Sequence, residues 1–184
     1  MWSGKKGSEG GDAGTPPAQE EVKLVLVGDS QCGKTALVQR LVSDTFLEAY
    51  TPTGFEKYAY TCTVADCRVS FSVWDTSGTT AYDTVRPLAY QDAKVFMLCF
   101  NIAEPDSLHN AAAKALAVAR QLGATTYVET SSRASGKGVR DAFEVAALAA
   151  LGKLNKQQKQ VGRSKSKRDL KAELKGRARS CCVM

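Results

Sequence analysis

Residues 28–35 read Gly28-Asp29-Ser30-Gln31-Cys32-Gly33-Lys34-Thr35, a fit to G-x-x-x-x-G-K-[ST]. They follow Val22-Lys23-Leu24-Val25-Leu26-Val27, a nearly all-apolar, β-prone run of the kind buried on both faces of a sheet. They precede Thr35–Ser43, where Ala36, Leu37, Leu41 and Val42 recur at helical spacing. A strand buried on both faces, a Gly-rich turn and a helix, in that order, restrict the chain to an α/β sheet with helices over it. The turn also carries chemistry. Backbone N–H groups can wrap a phosphate only where no Cβ intrudes, hence the glycines. Lys34 can reach β and γ phosphates, the Thr35 hydroxyl can ligate Mg²⁺, and the helix N-terminus adds its dipole.

The remaining pattern agrees. Phe55–Val64 and Arg68–Asp75 are rich in β-branched and aromatic residues, and Ala65, Asp66 and Cys67 between them predict a hairpin. Val95–Phe100 is a short apolar run, expected as a central strand. Pro105–Leu122 is Ala-rich and predicts one helix, with Pro105 in its first turn and Gly123 past its end. Thr126–Glu129 is expected as a strand, and Gly138–Leu151 as a helix with Val139, Phe143, Ala146 and Ala150 on one stripe. The fold class is therefore α/β: a P-loop NTPase-like, doubly wound, mostly parallel sheet with one antiparallel edge strand.

Three segments follow from composition. Residues 1–20 hold five Gly and two Pro without apolar periodicity and predict a disordered lead. Residues 21–152 form the domain. From Lys153 onward eleven Lys/Arg face two acids, so the tail carries +9 and the remainder −3. The basic balance belongs to an appendage suited to an anionic surface, and no nucleic-acid partner is expected. No run approaches the roughly 18 apolar residues of a membrane span, and the N-terminus lacks an apolar signal core. Six cysteines without paired C-x-x-C spacing predict reduced thiols, neither a disulfide framework nor a zinc site. His109 reads as a surface residue, Cys62, Cys67 and Cys99 as packing residues, and Trp74 as core.

Asp75-Thr76-Ser77-Gly78 ends a predicted strand; its acid could hold Mg²⁺ through water and its glycine N–H could sense a γ phosphate. With this motif the chain resembles the Ras superfamily, in its Rho type. Phe46 and then Tyr50-Thr51-Pro52-Thr53-Gly54-Phe55-Glu56 resemble switch I. The resemblance implies that Thr53 ligates Mg²⁺ and senses the γ phosphate, and that Phe46 flanks a guanine. Tyr82-Asp83-Thr84-Val85-Arg86-Pro87-Leu88-Ala89-Tyr90 resembles switch II, and Glu129-Thr130-Ser131-Ser132-Arg133 the guanine-contacting loop. The P-loop and Trp74–Gly78 are most similar to the Rnd subgroup. The nucleotide-binding set so implied is Gly28, Ser30, Gln31, Cys32, Gly33, Lys34, Thr35, Phe46, Tyr50, Thr53, Asp75, Gly78, Ser131, Ser132 and Arg133. GTP and Mg²⁺ are the implied cofactors, with Thr35 and Thr53 as metal ligands.

Three departures bear on mechanism. The position of the water-orienting Gln holds Thr79, whose side chain is too short to span water and γ phosphate. Ser30 stands where Ras-type loops usually have Gly, and would crowd a Gln and an arginine finger. Both point to bound nucleotide with little or no hydrolysis, and no catalytic residue is assigned. The third departure is the missing [NT]-K-x-D segment after Asn101-Ile102, whose Asp would accept the guanine edge. The domain is therefore expected to be shortened by about one strand–helix unit, the remaining helix crossing from the Val95 strand to the Thr126 strand.

Cys181-Cys182-Val183-Met184 fits C-a-a-X with Met last, predicting farnesylation of Cys181. One lipid anchors only marginally, and the basic tail would be the second signal. Ser164, Ser166 and Ser180 could be phosphorylated to weaken that patch, and Ser180 resembles the Rnd site read by 14-3-3 proteins. The expected location is the cytoplasmic face of the plasma membrane, with a cytosolic pool. Expected partners are anionic lipids, and effectors and regulators of Rho signalling through switch I (Tyr50–Tyr58) and switch II (Thr79–Tyr90). The resemblance implies a GTPase-deficient signalling protein acting on the actin cytoskeleton. A pseudo-GTPase with weak or no nucleotide binding is the alternative; a P-loop phosphohydrolase or kinase of another class is a third reading.

Overall fold

Apolar alternation on a strand covered on both sides is met in β1 (Ala18–Gly28). Leu24 and Leu26 are buried toward one face of the sheet, Val25 and Val27 toward the other. The computed structural model describes residues 17–46, 48–104, 106–107, 109–110, 128–133, 136–154 and 181–183. Within them follow α1 (Lys34–Ser43), β2 (Phe55–Val64), β3 (Cys67–Thr76), two 3₁₀ turns (Thr80–Tyr82 and Arg86–Tyr90), β4 (Val95–Asn101), β5 (Val128–Thr130), α2 (Gly136–Ala150) and β6 (Cys181–Val183). β1 begins at Ala18, three residues ahead of the expected start, because Ala18 to Glu20 still pair with Cys67 to Val69. Of the helix expected over Pro105–Leu122, residues 106–107 and 109–110 are helical and the rest lies outside the described residues. No described helix is long and apolar enough to cross a membrane.

The sheet order is β2-β3-β1-β4-β6-β5. β1 runs parallel to β3 and β4, and β2 pairs antiparallel with β3 through the expected hairpin. Ala65 and Asp66 at its tip both have positive φ, 49° and 60°, the two-residue geometry that matches strand twist. The main core lies between the sheet and α1 and α2. Phe143 of α2 is fully buried and meets Tyr60 and Phe71 edge-on, with ring centroids 5.8 and 6.1 Å away. On the opposite face Val25 and Val27 pack with Tyr90, Phe96, Leu98 and Trp74. Trp74 is half-buried rather than core, its ring lying under Lys23 Nζ at 4.3 Å. Cys67 and Cys99 are buried, Cys62 half-buried and His109 exposed.

One element is new relative to the sequence reading. β5 does not pair with β4. Between them runs β6, from the tail, antiparallel to both: Cys99, Phe100 and Asn101 face Val183, Cys182 and Cys181, which in turn face Val128, Glu129 and Thr130. The physical reason is the open edge left beside β4. A strand as apolar as Val95-Phe96-Met97-Leu98-Cys99-Phe100 demands hydrogen-bonding partners on that side. Cys181, expected on a free tail, is thus part of a paired strand.

Because Phe143 links both strands of the hairpin to α2, Phe143→Ala should destabilise the domain by about 3–5 kcal/mol. Urea unfolding checks this; a midpoint shift equivalent to less than about 1 kcal/mol would contradict the packing role.

Candidate nucleotide site

The carboxyl ends of β1 and β3 are held in register, Leu26 against Asp75, and Thr76 Oγ1 donates to the Leu26 carbonyl at 2.7 Å. This brings the two motifs to one edge of the sheet, where open α/β sheets bind ligands. A cavity of about 420 Å³ lies there. Its wall contains Ser30, Gln31, Gly33, Lys34 and Thr35 from the loop and α1, Phe46, Tyr50 and Thr53 from the next segment, Gly78 after β3, and Ser131, Ser132 and Arg133 after β5. Twelve of the fifteen residues expected to bind nucleotide therefore line one cavity. Gly28, Cys32 and Asp75 are buried behind that wall. Burial pushes the Cys32 thiol up, so it stays neutral.

Lys34 is buried, and its ammonium donates to the Gly28 carbonyl at 3.0 Å and the Asp29 carbonyl at 2.7 Å. Asp29 also accepts from Asn110 Nδ2 at 2.7 Å, a tie from the following helical segment that the sequence did not signal. Gly78 sits hard against the loop: a Cβ there would lie 2.2 Å from the Ser30 nitrogen. Only glycine allows the backbone after β3 to approach the phosphate loop this closely.

Three oxygen groups converge beneath the loop. Thr35 Oγ1 donates to Asp75 Oδ2 at 2.6 Å and lies 2.5 Å from Thr53 Oγ1. Asp75 is fully buried, and its second oxygen, Oδ1, has no partner. Burial raises its carboxyl to about 6, against the lowering effects of the Thr35 hydrogen bond and Lys34. The donor set fits Mg²⁺: hydroxyls and one carboxylate, with an orphan oxygen for a hydrated ion, the remaining ligands coming from water and phosphate.

Thr79 is not among the described residues that line this cavity. Its hydroxyl lies 3.2 Å from the Ser77 hydroxyl, and its carbonyl accepts from Arg86 Nη2 at 2.7 Å. Arg86, almost fully buried, also bonds the Ser77 carbonyl at 2.9 Å and Asp83 at 2.6 Å. It fixes the start of the segment resembling switch II. Arg40 plays the corresponding part at the other end. From α1 its Nε donates to the Ser132 carbonyl at 2.7 Å and its Nη2 to the Arg133 carbonyl at 3.4 Å. Phe46 stands beneath the Arg133 guanidinium, 5.9 Å from ring centroid to Cζ. The sequence reading missed Arg40 and the wall residues Asn101 and Ala103. It placed Arg86 in switch II without its anchoring role. Nothing in local spacing marks a contact across 92 residues.

Arg40→Ala should loosen the Ser131–Arg133 loop, since each charge-assisted bond contributes about 1.5–3 kcal/mol. Nucleotide affinity should fall about tenfold or more, read by fluorescence titration; unchanged affinity would remove Arg40 from this role.

The comparisons agree with this geometry. The Ras family profile matches residues 23–115. Rho-related GTP-binding protein RhoE of Homo sapiens is 34% identical over 230 aligned residues, 92% of this chain and 93% of its own. That alignment is longer than the 184-residue chain, so RhoE has residues that face none here. GTP-binding protein RHO1 of Candida albicans is 33% identical over 188 residues, covering 78% of this chain and 94% of its own. Human RhoD is 46% identical over 95 residues, about half of each chain. With a phosphate-loop motif, a hydrogen-bonded Thr35–Thr53–Asp75 cluster and a switch-like segment meeting at one sheet edge, the chain belongs to the Ras family of small GTPases, in its Rho-related, Rnd-like branch.

Proposed function

We propose that this chain binds GTP and Mg²⁺, turns the nucleotide over little or not at all, and acts by presenting its two switches to proteins of Rho signalling that organise actin. The observation that carries this reading is the pairing of an assembled Thr35–Thr53–Asp75 cation site with a Thr79 hydroxyl directed at Ser77. Lys34 and the loop N–H groups would hold phosphate, and Thr35, Thr53 and Asp75 would hold the ion, directly or through its water. When bound, Mg²⁺ would neutralise charge on the β and γ phosphates. Hydrolysis further requires a group that orients water, and neither Thr79 nor Ser30 supplies it.

The surface between the switches suits protein partners. Phe55 and Tyr82 meet edge-on with centroids 5.5 Å apart, and Val85 and Leu88 beside them are exposed, Leu88 by 76%. Apolar side chains left in water at this density favour docking. Membrane attachment through a farnesyl group on Cys181 and the basic tail, and 14-3-3 recognition at Ser180, belong to the same proposal. Attachment at Cys181 requires β6 to give up its pairing with β4 and β5. A pseudo-GTPase is the second reading, favoured by the lack of an [NT]-K-x-D segment between Asn101 and Thr126.

The test is single-turnover hydrolysis by the purified full chain loaded with GTP. The rate should lie at least about tenfold below the ~4 × 10⁻⁴ s⁻¹ intrinsic rate of a glutamine-bearing GTPase, and Ser30→Gly with Thr79→Gln should raise it. A wild-type rate at that intrinsic value would refute the non-hydrolysing reading. Lys34→Ala should weaken binding by about 2–4 kcal/mol, or roughly 30- to 1,000-fold; no detectable binding by either form would favour the pseudo-GTPase. The Asp75 carboxyl also sets a pH dependence. Its raised pKa means that the metal-free fold loses stability as pH rises through about 6, where the buried group ionises. Mg²⁺ selects the ionised form, so Mg²⁺-dependent thermal stabilisation of the GTP complex should be smaller at pH 5 than at pH 7. Equal stabilisation at both would exclude Asp75 from the ion's shell.

A further inference from the structure

Selecting guanine over adenine takes an acceptor for the guanine N1–H and amino group. Adenine offers an acceptor and an N6 amino group at the same edge. The polar groups at the base end of the cavity can be taken in turn. Between residues 101 and 135 the only acids in the sequence are Glu104, Asp106 and Glu129. All three are exposed, and none lines the cavity. Glu48 does line it, but its side chain is 81% exposed and lies 3.5 Å from Arg133. A carboxylate so open to water discriminates little. The carbonyls of Ser132 and Arg133 accept from Arg40 and, being uncharged, offer a weaker hold on the guanine edge than a carboxylate would.

Among the described wall residues this leaves a ring platform and amphoteric groups, the Ser131 and Ser132 hydroxyls and the Asn101 amide. Phe46 faces the Arg133 guanidinium, and both line the cavity; stacking and cation–π contact are available to any purine. Ser132 is 5% exposed, lies in the wall, and its hydroxyl is buried without a partner. A hydroxyl donates or accepts by rotation. It can therefore donate to guanine O6 or accept from the adenine amino group at similar gain.

We propose that the base end of this cavity is a purine-stacking site that does not select guanine, so that ATP is a ligand on nearly the same footing as GTP. Phe46 and Arg133 hold the ring, and Ser132 meets either base. The inference rests on the phosphate-site reading above and concerns a different end of the same cavity.

The experiment is competition for a fluorescent GTP analogue on the full chain with Mg²⁺, using GTP, ATP and inorganic tripolyphosphate. Apparent affinities for GTP and ATP should agree within about tenfold, the range that one neutral hydrogen bond can supply. Arg133→Ala should weaken both by a similar factor, about three- to tenfold. Tripolyphosphate should bind clearly more weakly than either nucleotide. GTP competing at about a thousandfold lower concentration than ATP would overturn the inference and leave the phosphate site standing. So would an Arg133→Ala loss confined to GTP, or tripolyphosphate binding as well as the nucleotides. Failure of all three to bind would overturn the phosphate-site reading, and this inference with it.

Discussion

The parallel pairing of β1 with both β3 and β4 is the constraint on which the rest depends. It buries both faces of β1 and sets the carboxyl ends of three strands level, with Leu26 opposite Asp75 and Gly28 opposite Cys99. At Gly28 the backbones come so close that a Cβ would lie 2.1 Å from the Cys99 carbonyl oxygen. The glycine that opens the phosphate loop is thus also the residue that lets β1 and β4 lie together. Sheet packing and the site geometry are one requirement here.

Two arginines, Arg86 buried and Arg40 half-buried, extend that geometry into the loops. Arg86 gathers the carbonyls of Ser77 and Thr79 and the Asp83 carboxylate. Arg40 gathers the carbonyls of Ser132 and Arg133. A guanidinium serves because its planar fork donates in several directions at once without a proton to lose. Arg86 holds the segment that follows β3, and Arg40 holds a loop that borders the cavity.

The RhoE alignment is longer than this chain, and the sequence beyond β4 holds no [NT]-K-x-D segment before Thr126. β6 closes the open edge by pairing with β4 and β5. Backbone hydrogen bonding is indifferent to side-chain identity, so a borrowed strand can close an edge. It cannot bring back a carboxylate at the base, which depends on one residue type at one place.

The loop Gly28–Thr35, the hairpin tip at Ala65-Asp66, the acid at Asp75 and the stripe on α2 were legible in the sequence. Each rests on short-range rules: fixed spacing, two- or 3.6-residue periodicity, and backbone freedom at particular residues. Among the twelve wall residues these rules located those of the phosphate loop and Gly78, whereas Phe46, Tyr50, Thr53, Ser131, Ser132 and Arg133 came from the family resemblance. Arg40 on Ser132, Arg86 on Ser77, Asn110 on Asp29 and the seating of β6 were not legible. An arginine on a helix and a short Cys-Cys-Val segment look the same whether they face water or a partner brought from far along the chain. The sequence alone determined which groups could bind phosphate and cation. Only the tertiary structure decided which loops they hold and which strand fills the open edge, because those choices depend on where the unpaired carbonyls and amides of the folded sheet lie.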